Sequence, residues 1–165
     1  MNSLYSQLEQ IVVNVGVGRL SSLPNFPEKI LPEVLKEVSL ITGQKPTERP
    51  AKQSVAGFKV RAGTVIGLKV TLRGKRMNHF LERLVRIVLP RVRDFRGIDM
   101  KSIDREGNLT IGLKEQVVFP EIQPELSKFS FGLEITIVPK FVHTKDKAIE
   151  LYRLLGVPFK KHDTK

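Results

Sequence analysis

Cysteine is absent from the 165 residues, which excludes a disulfide framework, a thiolate metal site and a cysteine nucleophile. A chain without thiols suits a reducing compartment. The opening residues, MNSLYSQLEQ, carry no basic stretch followed by an apolar run, so nothing there reads as a signal peptide. No segment approaches the roughly 18 consecutive apolar residues of a membrane span. The expectation is a soluble, cytoplasmic protein with no membrane partner. Histidine is scarce, and His79, His143 and His162 fall without ligand spacing. The GVG of Gly16–Gly18 lacks the third glycine of a dinucleotide fingerprint. A phosphate loop ending at Gly74 and Lys75 would need a glycine where Lys69 stands. Glu115, Glu121 and Glu125 show no periodic pairing and read as solvent-facing. These absences leave no activated nucleophile, metal set or cofactor cradle, so the chain reads as a non-enzyme with no cofactor and no metal.

Acidic residues are also scarce where basic residues are dense. The net charge is +11, from 28 basic and 17 acidic residues. Between Gln44 and Arg96 stand 14 Lys and Arg against only Glu48, Glu82 and Asp94, whereas outside this segment 14 basic residues meet 14 acidic ones. The whole excess therefore sits in about a third of the chain. Such a segment repels itself unless a polyanion compensates it, and nucleic acid is the usual one. A solvated basic face without a partner is the plain alternative. An anionic membrane surface fits less well, because no basic helix with exposed large apolar residues accompanies the charge.

Length and an apolar content of 41% suit one globular domain over residues 1–165. LEQIVVNVGVG, Leu8–Gly18, reads as a buried strand leaving through a glycine turn. In Phe26–Gly43 the spacing of Leu31, Val34, Leu35, Val38 and Ile41 predicts a helix starting near Pro32 and capped by Gly43. Gln44–Ser54, with two prolines, predicts an extended edge strand or loop. Val55–Gly67, rich in glycine and carrying Phe58, Lys59 and Arg61, predicts a long exposed flexible loop. Leu68, Val70 and Leu72 then alternate with Lys69, Thr71 and Arg73, a strand with one buried and one basic face. After Gly74, Met77, Phe80, Leu81, Leu84 and Val88 form one helical stripe, opposite Lys75, Arg76, His79, Arg83 and Arg86. Pro90 is expected to end that helix, with a basic loop, RVRDFRG, behind it. A hairpin around Arg105–Asn108, a strand over Phe129–Lys140 and a last helix behind Thr144, stopped by Gly156 and Pro158, complete the reading. The order of elements predicts an α+β fold: a mostly antiparallel sheet with helices packed on one side and one long exposed basic loop.

An open strand face bearing Lys69, Thr71 and Arg73 supplies an ammonium, a hydroxyl and a guanidinium two residues apart. That set suits phosphate, ribose 2′-hydroxyl and base-edge contacts, and RNA in preference to duplex DNA, since no helix-turn-helix or basic-zipper pattern is present. Thr71 is equally a good strand former. No aromatic pair of the kind that stacks bases on a sheet occurs on this strand.

Several ordered strings carry a resemblance: VNVGVG (Val13–Gly18), GQKP (Gly43–Pro46), SVAGFKVRAG (Ser54–Gly63), KVTLRGKRM (Lys69–Met77), PRVRDFRG (Pro90–Gly97), EQVVFPEI (Glu115–Ile122) and the GVPFKK tail. Over about Ile11 to Lys161 the chain resembles the bacterial-type large-subunit ribosomal protein "L five" family. The resemblance implies a structural RNA-binding protein of the central protuberance, bound to the ribosome, with 5S rRNA on one face of its sheet. The matching positions are Asn14, Gln44, Thr71 and Arg73, with Lys69 on the same strand. It further implies a loop facing P-site tRNA, here Phe58, Lys59, Arg61 and Gly63, contacts with large-subunit rRNA and other large-subunit proteins, and a bridge to a protein of the small-subunit head. Ala62, Thr64 and Val65 replace the Gln, aromatic or Met, and Pro common in that loop. TERPAKQS is less basic than usual for the family, whose members usually carry a further helix before the first strand. A free-standing RNA-binding factor or RNA chaperone would use the same basic face.

Overall fold

The computed structural model describes residues 5–58, 60–142 and 144–160. Five strands form one antiparallel sheet: β1 Leu8–Gly16, β2 Thr47–Pro50, β3 Val65–Leu72, β4 Leu109–Leu113 and β5 Leu133–Pro139, in the order β2-β3-β1-β5-β4. With them go helices α1 Leu31–Thr42, α2 Gly74–Arg83 and α3 Lys145–Leu154. This is the α+β fold expected from the sequence. The proline-bearing segment after Gln44 does supply an edge strand, β2, where a missing amide costs no ladder bond on the open side. No helix among the described residues is long and apolar enough to cross a membrane.

The contacts divide the chain into two compact units. One comprises Val13–Thr71 and Gly112–Glu134. Its core takes Val13 and Val15 from β1, Leu68 and Val70 from β3, and Val34, Val38 and Ile41 from α1. Those helix positions recur at three- and four-residue steps, so one face of α1 is buried. α1 stops at Gly43, whose φ of 69° is left-handed and whose N–H bonds the Ser39 carbonyl at 2.8 Å. Gln116 is the polar centre of this unit: 1% exposed, it donates to Glu37, Ser127 and the Phe129 carbonyl and accepts from the Phe131 N–H.

The other unit comprises residues up to 12, Leu72–Ile111 and residues from 135 onward. Met77, Phe80 and Leu81 of α2 are buried there, as are Ala148, Leu151 and Tyr152 of α3. Gly97, at φ 97°, lies against the chain end: a side chain would meet the backbone of Phe159 and Lys160 at 2.6–2.8 Å. Ile98 exchanges hydrogen bonds with Pro158 and Lys160 at that place, which ties the last described residues to the unit.

Three expectations are corrected. Pro90 does not end the helix after Gly74. Beyond Arg83 the helix widens into a π turn over Leu84–Val88 and continues through Leu89–Arg91, leaving at Val92. The π turn resets which amide bonds to which carbonyl, and Pro90 then occupies a first turn, where its missing N–H is tolerated. The long exposed loop over Val55–Gly67 is not found either, because Val65, Ile66 and Gly67 already belong to β3. Val55 and Val60 bond each other's backbone at 2.9 and 3.2 Å, and Ala51 bonds Thr64 and Gly63 at 2.8 and 2.9 Å. Finally, the buried strand expected over Phe129–Lys140 is confined to Leu133–Pro139 and alternates buried and open positions. The turn around Arg105–Asn108 is present, but beside β4 it carries only the isolated pair Ile103 and Leu109. Asp104 organises that turn by accepting from the Glu106 and Asn108 backbone amides and the Asn108 side chain.

Tyr152 shows how the α3 side of its unit is held. It is fully buried, and its hydroxyl lies in donor range of two carbonyls, Gly107 at 2.7 Å and Ile137 at 3.0 Å. Burial, with the nearby Asp104 charge, pushes the phenol well above its usual range, so it remains a neutral donor. Tyr152→Phe keeps the ring and strips these carbonyls of their donor. A loss of about 1–2 kcal/mol is expected in urea unfolding, with an unchanged denaturant slope.

Candidate nucleic-acid interface

β3 positions the site because it alternates from Leu68 to Leu72. Leu68, Val70 and Leu72 are buried, and Lys69 and Thr71 stand half-buried on the opposite face. On one side β2 pairs with it antiparallel, placing Thr47 across from Lys69. On the other side lies β1, where the Val17 N–H donates to the Ile66 carbonyl at 2.9 Å. Three residues back along β1 is Asn14, and three residues forward along β3 is Lys69, so the two face each other across the pair. Thr47, Lys69 and Asn14 therefore form a row over three strands, about 10 Å wide. The row carries a hydroxyl, an ammonium and an amide, all exposed or half-buried.

Gln44 reaches the same unit's β3 from the end of α1. The left-handed turn at Gly43 swings the chain out of the helix. The buried Thr42 hydroxyl then pins the next step, lying 2.7 Å from the Val38 carbonyl and 2.9 Å from the Gln44 carbonyl. The Gln44 amide Nε2 donates to the Thr71 carbonyl at 3.2 Å. Gln44 and Thr71, far apart in sequence, are thereby brought into contact, and Thr71 itself stands half-buried on the open face.

Arg73 belongs to the other unit. Its backbone is extended, and its exposed guanidinium donates through Nη2 to Gln10 Oε1 at 2.8 Å. Gln10, which the sequence reading did not single out, thus orients this arginine. Its signal was present: Gln10 and Asn14 stand an even number of residues apart on one strand, hence on one face. Thr47 was missed too, because an exposed threonine in a proline-rich segment has no signature until its strand partner is known.

Phe58, Arg61 and Gly63 lie on the hydrogen-bonded segment between β2 and β3. Phe58 is 78% exposed, Arg61 is exposed, and Gly63 turns with a φ of 86°. Lys59 lies outside the described residues, as do His143 and His162. The helix arginines behave differently from one another. Arg86 pairs with Glu82 at 2.9 Å, four residues back on the helix, and half-buried Arg83 lies over the Phe80 ring at 5.8 Å. Lys75, Arg76 and His79 are exposed on α2. Among the described residues no group of three His, Asp or Glu could hold a metal ion.

Comparison with known proteins agrees over most of the chain. The family model of the C-terminus of the ribosomal L5 family matches residues 65–159, and that of ribosomal protein L5 matches residues 6–61. The large ribosomal subunit protein uL5 of Halothermothrix orenii is 49% identical over 153 residues, covering 93% of this chain and 83% of the relative. Those of Brevibacillus brevis and Oceanobacillus iheyensis are 46% and 48% identical over 155 residues, each covering 94% of this chain. These relatives are covered to 83% and 84% of their own length.

Gln44→Leu removes the side-chain bond to β3 while keeping the bulk. Unfolding by urea is expected to show a loss of about 1 kcal/mol, the worth of one hydrogen bond of this kind.

Proposed function

We propose, for a chain that belongs to the ribosomal protein L5 family and is thereby a non-catalytic structural constituent of the large ribosomal subunit, that its open sheet face holds 5S rRNA in the central protuberance. Assembly with rRNA and with other large-subunit proteins follows from the family itself. The finer reading rests on one observation above all: the row of Thr47, Lys69 and Asn14, with Gln44 bonded to the Thr71 carbonyl beside it. Fixed amides, hydroxyls and an ammonium on strands recognise shape, whereas mobile surface lysines supply only charge. Lys69 would meet phosphate. Asn14, Gln44 and Thr71 offer donors and acceptors for ribose hydroxyls and base edges. Arg73, oriented by Gln10, presents the forked donors that suit a phosphate oxygen pair.

The segment between β2 and β3 supports a second contact within the same function. Phe58 and Arg61, exposed on a backbone already hydrogen-bonded to itself, and Lys59 in the sequence beside them, suit the tRNA in the P site. A bridge to the small-subunit head belongs to the same reading and is not assigned to residues.

Purified chain and 5S rRNA test the proposal. If about six phosphates are neutralised, affinity falls on the order of a thousandfold between roughly 50 and 200 mM salt. A flat salt response contradicts it. Arg73→Ala weakens binding by about 1–3 kcal/mol and Thr71→Val by about 1 kcal/mol, read by filter binding at fixed salt. Unchanged affinity in both variants removes Thr71 and Arg73 from the interface.

A further inference from the structure

A cleft of about 840 Å³ opens beside the segment between β2 and β3, and none of the residues of the sheet row lines it. Its lining is mainly apolar, with Ser22 and Gln53 as its neutral polar residues: Ile66 and Val60 are half-buried, Val55 is 44% exposed and Phe58 is 78% exposed. Two cations stand at its rim, Arg19 just beyond β1 and Lys52 just beyond β2, both exposed. Among the described residues no acidic side chain lines it. Phe58 and Val55 together leave an exposed apolar patch at the cleft, and a group that covers it must tolerate two positive charges nearby.

The walls are already assembled. Val55 and Val60 bond each other's backbones, the Phe58 N–H donates to the Val55 carbonyl at 3.2 Å, and the Ala62 N–H donates to Ser54 Oγ at 2.9 Å. Phe58 therefore sits on a closed turn at the mouth, not on a free loop. A preformed apolar slot of this size with a flat ring at its edge suits a flat, polarisable guest. The cationic rim demands that the guest carry negative charge just outside the slot. An unpaired nucleotide meets both demands, because its base has an apolar π-face and its phosphates lie one sugar away.

We propose that this cleft receives an unstacked nucleobase of a bound RNA, with the base against Phe58, Val55 and Val60 and its flanking phosphates at Arg19 and Lys52. The proposal rests on the RNA-binding reading above and deepens it at the segment between β2 and β3 already assigned to tRNA, adding a pocket that reads a splayed-out base instead of a backbone. An uncharged apolar side chain in the same slot would leave the two cations uncompensated, so it fits less well.

The test titrates full-length chain, labelled at its Val and Ile methyl groups, with single-stranded hexa-adenylate and with the same hexamer made abasic at every position. Methyl shifts at Val55, Val60 and Ile66 are expected with the base-bearing hexamer and not with the abasic one. Phe58→Ala should weaken hexamer binding by roughly fivefold to a hundredfold, the range for loss of one base–aromatic stack, while 5S rRNA affinity stays as in the parent chain. Phe58→Tyr, which keeps a flat ring, should restore hexamer binding. Equal binding of the two hexamers, or full binding by Phe58→Ala, overturns the pocket. If the parent chain binds 5S rRNA but the groove methyls do not move with hexa-adenylate, the pocket fails alone. If 5S rRNA binding is absent as well, the RNA-binding reading fails with it.

Discussion

Slipping β3 by one residue would carry Leu68, Val70 and Leu72 into water and turn Lys69 and Thr71 toward the core. Fully burying a Val or Leu side chain contributes about 1.5–3 kcal/mol, so the three together hold the register by roughly 5 kcal/mol or more. Turning an ammonium inward would add a large desolvation cost. What the open face offers follows from that register. Lys69 lands between Thr47 and Asn14, and the Thr71 carbonyl is left within reach of Gln44.

The basic residues between Gln44 and Arg96 are not equivalent once folded. Arg86 is partly neutralised by Glu82, and Arg83 lays its guanidinium over Phe80. Exposed pairs of this kind add little to stability, yet they remove charge that a phosphate backbone would otherwise meet. Lys69 and Arg73 are set by strand geometry and by the Gln10 bond. A polyanion is attracted by the sum of these charges, but only the fixed groups favour one docking geometry over another.

The segment between β2 and β3 illustrates the same distinction between charge and preorganisation. Its glycines read as freedom, but backbone bonds between Val55 and Val60, and from Ala51 to Thr64 and Gly63, have already removed most of it. A partner binding there meets a formed surface and does not have to order a loose chain, which lowers the entropic cost of association. Gly63, at its left-handed φ, lets the chain turn back toward Ala51 and close that surface.

Local periodicity made β1, α1, β3 and α3 legible, because alternation and three-to-four spacing are written in consecutive residues. The concentration of charge before Arg96 was legible because it too lies in consecutive residues, and the ordered strings from Val13 to the GVPFKK tail made the family legible. Asn14, Gln44, Lys69, Thr71 and Arg73 could be named, but not their geometry. The Gln44 bond to Thr71, the Thr47 partner of Lys69 and the Gln10 partner of Arg73 join residues far apart in sequence, and no local pattern encodes such pairs. Pro90 misled for a related reason: its local preference is to stop a helix, and the π turn before it, buried through Leu84 and Val88, overrode that preference. The sequence by itself determined which strand faces are apolar and where the charge lies, since burial follows side-chain chemistry at fixed periods. Only the tertiary structure decided which polar groups meet, because register across strands and the exit from α1 are set by packing between distant segments.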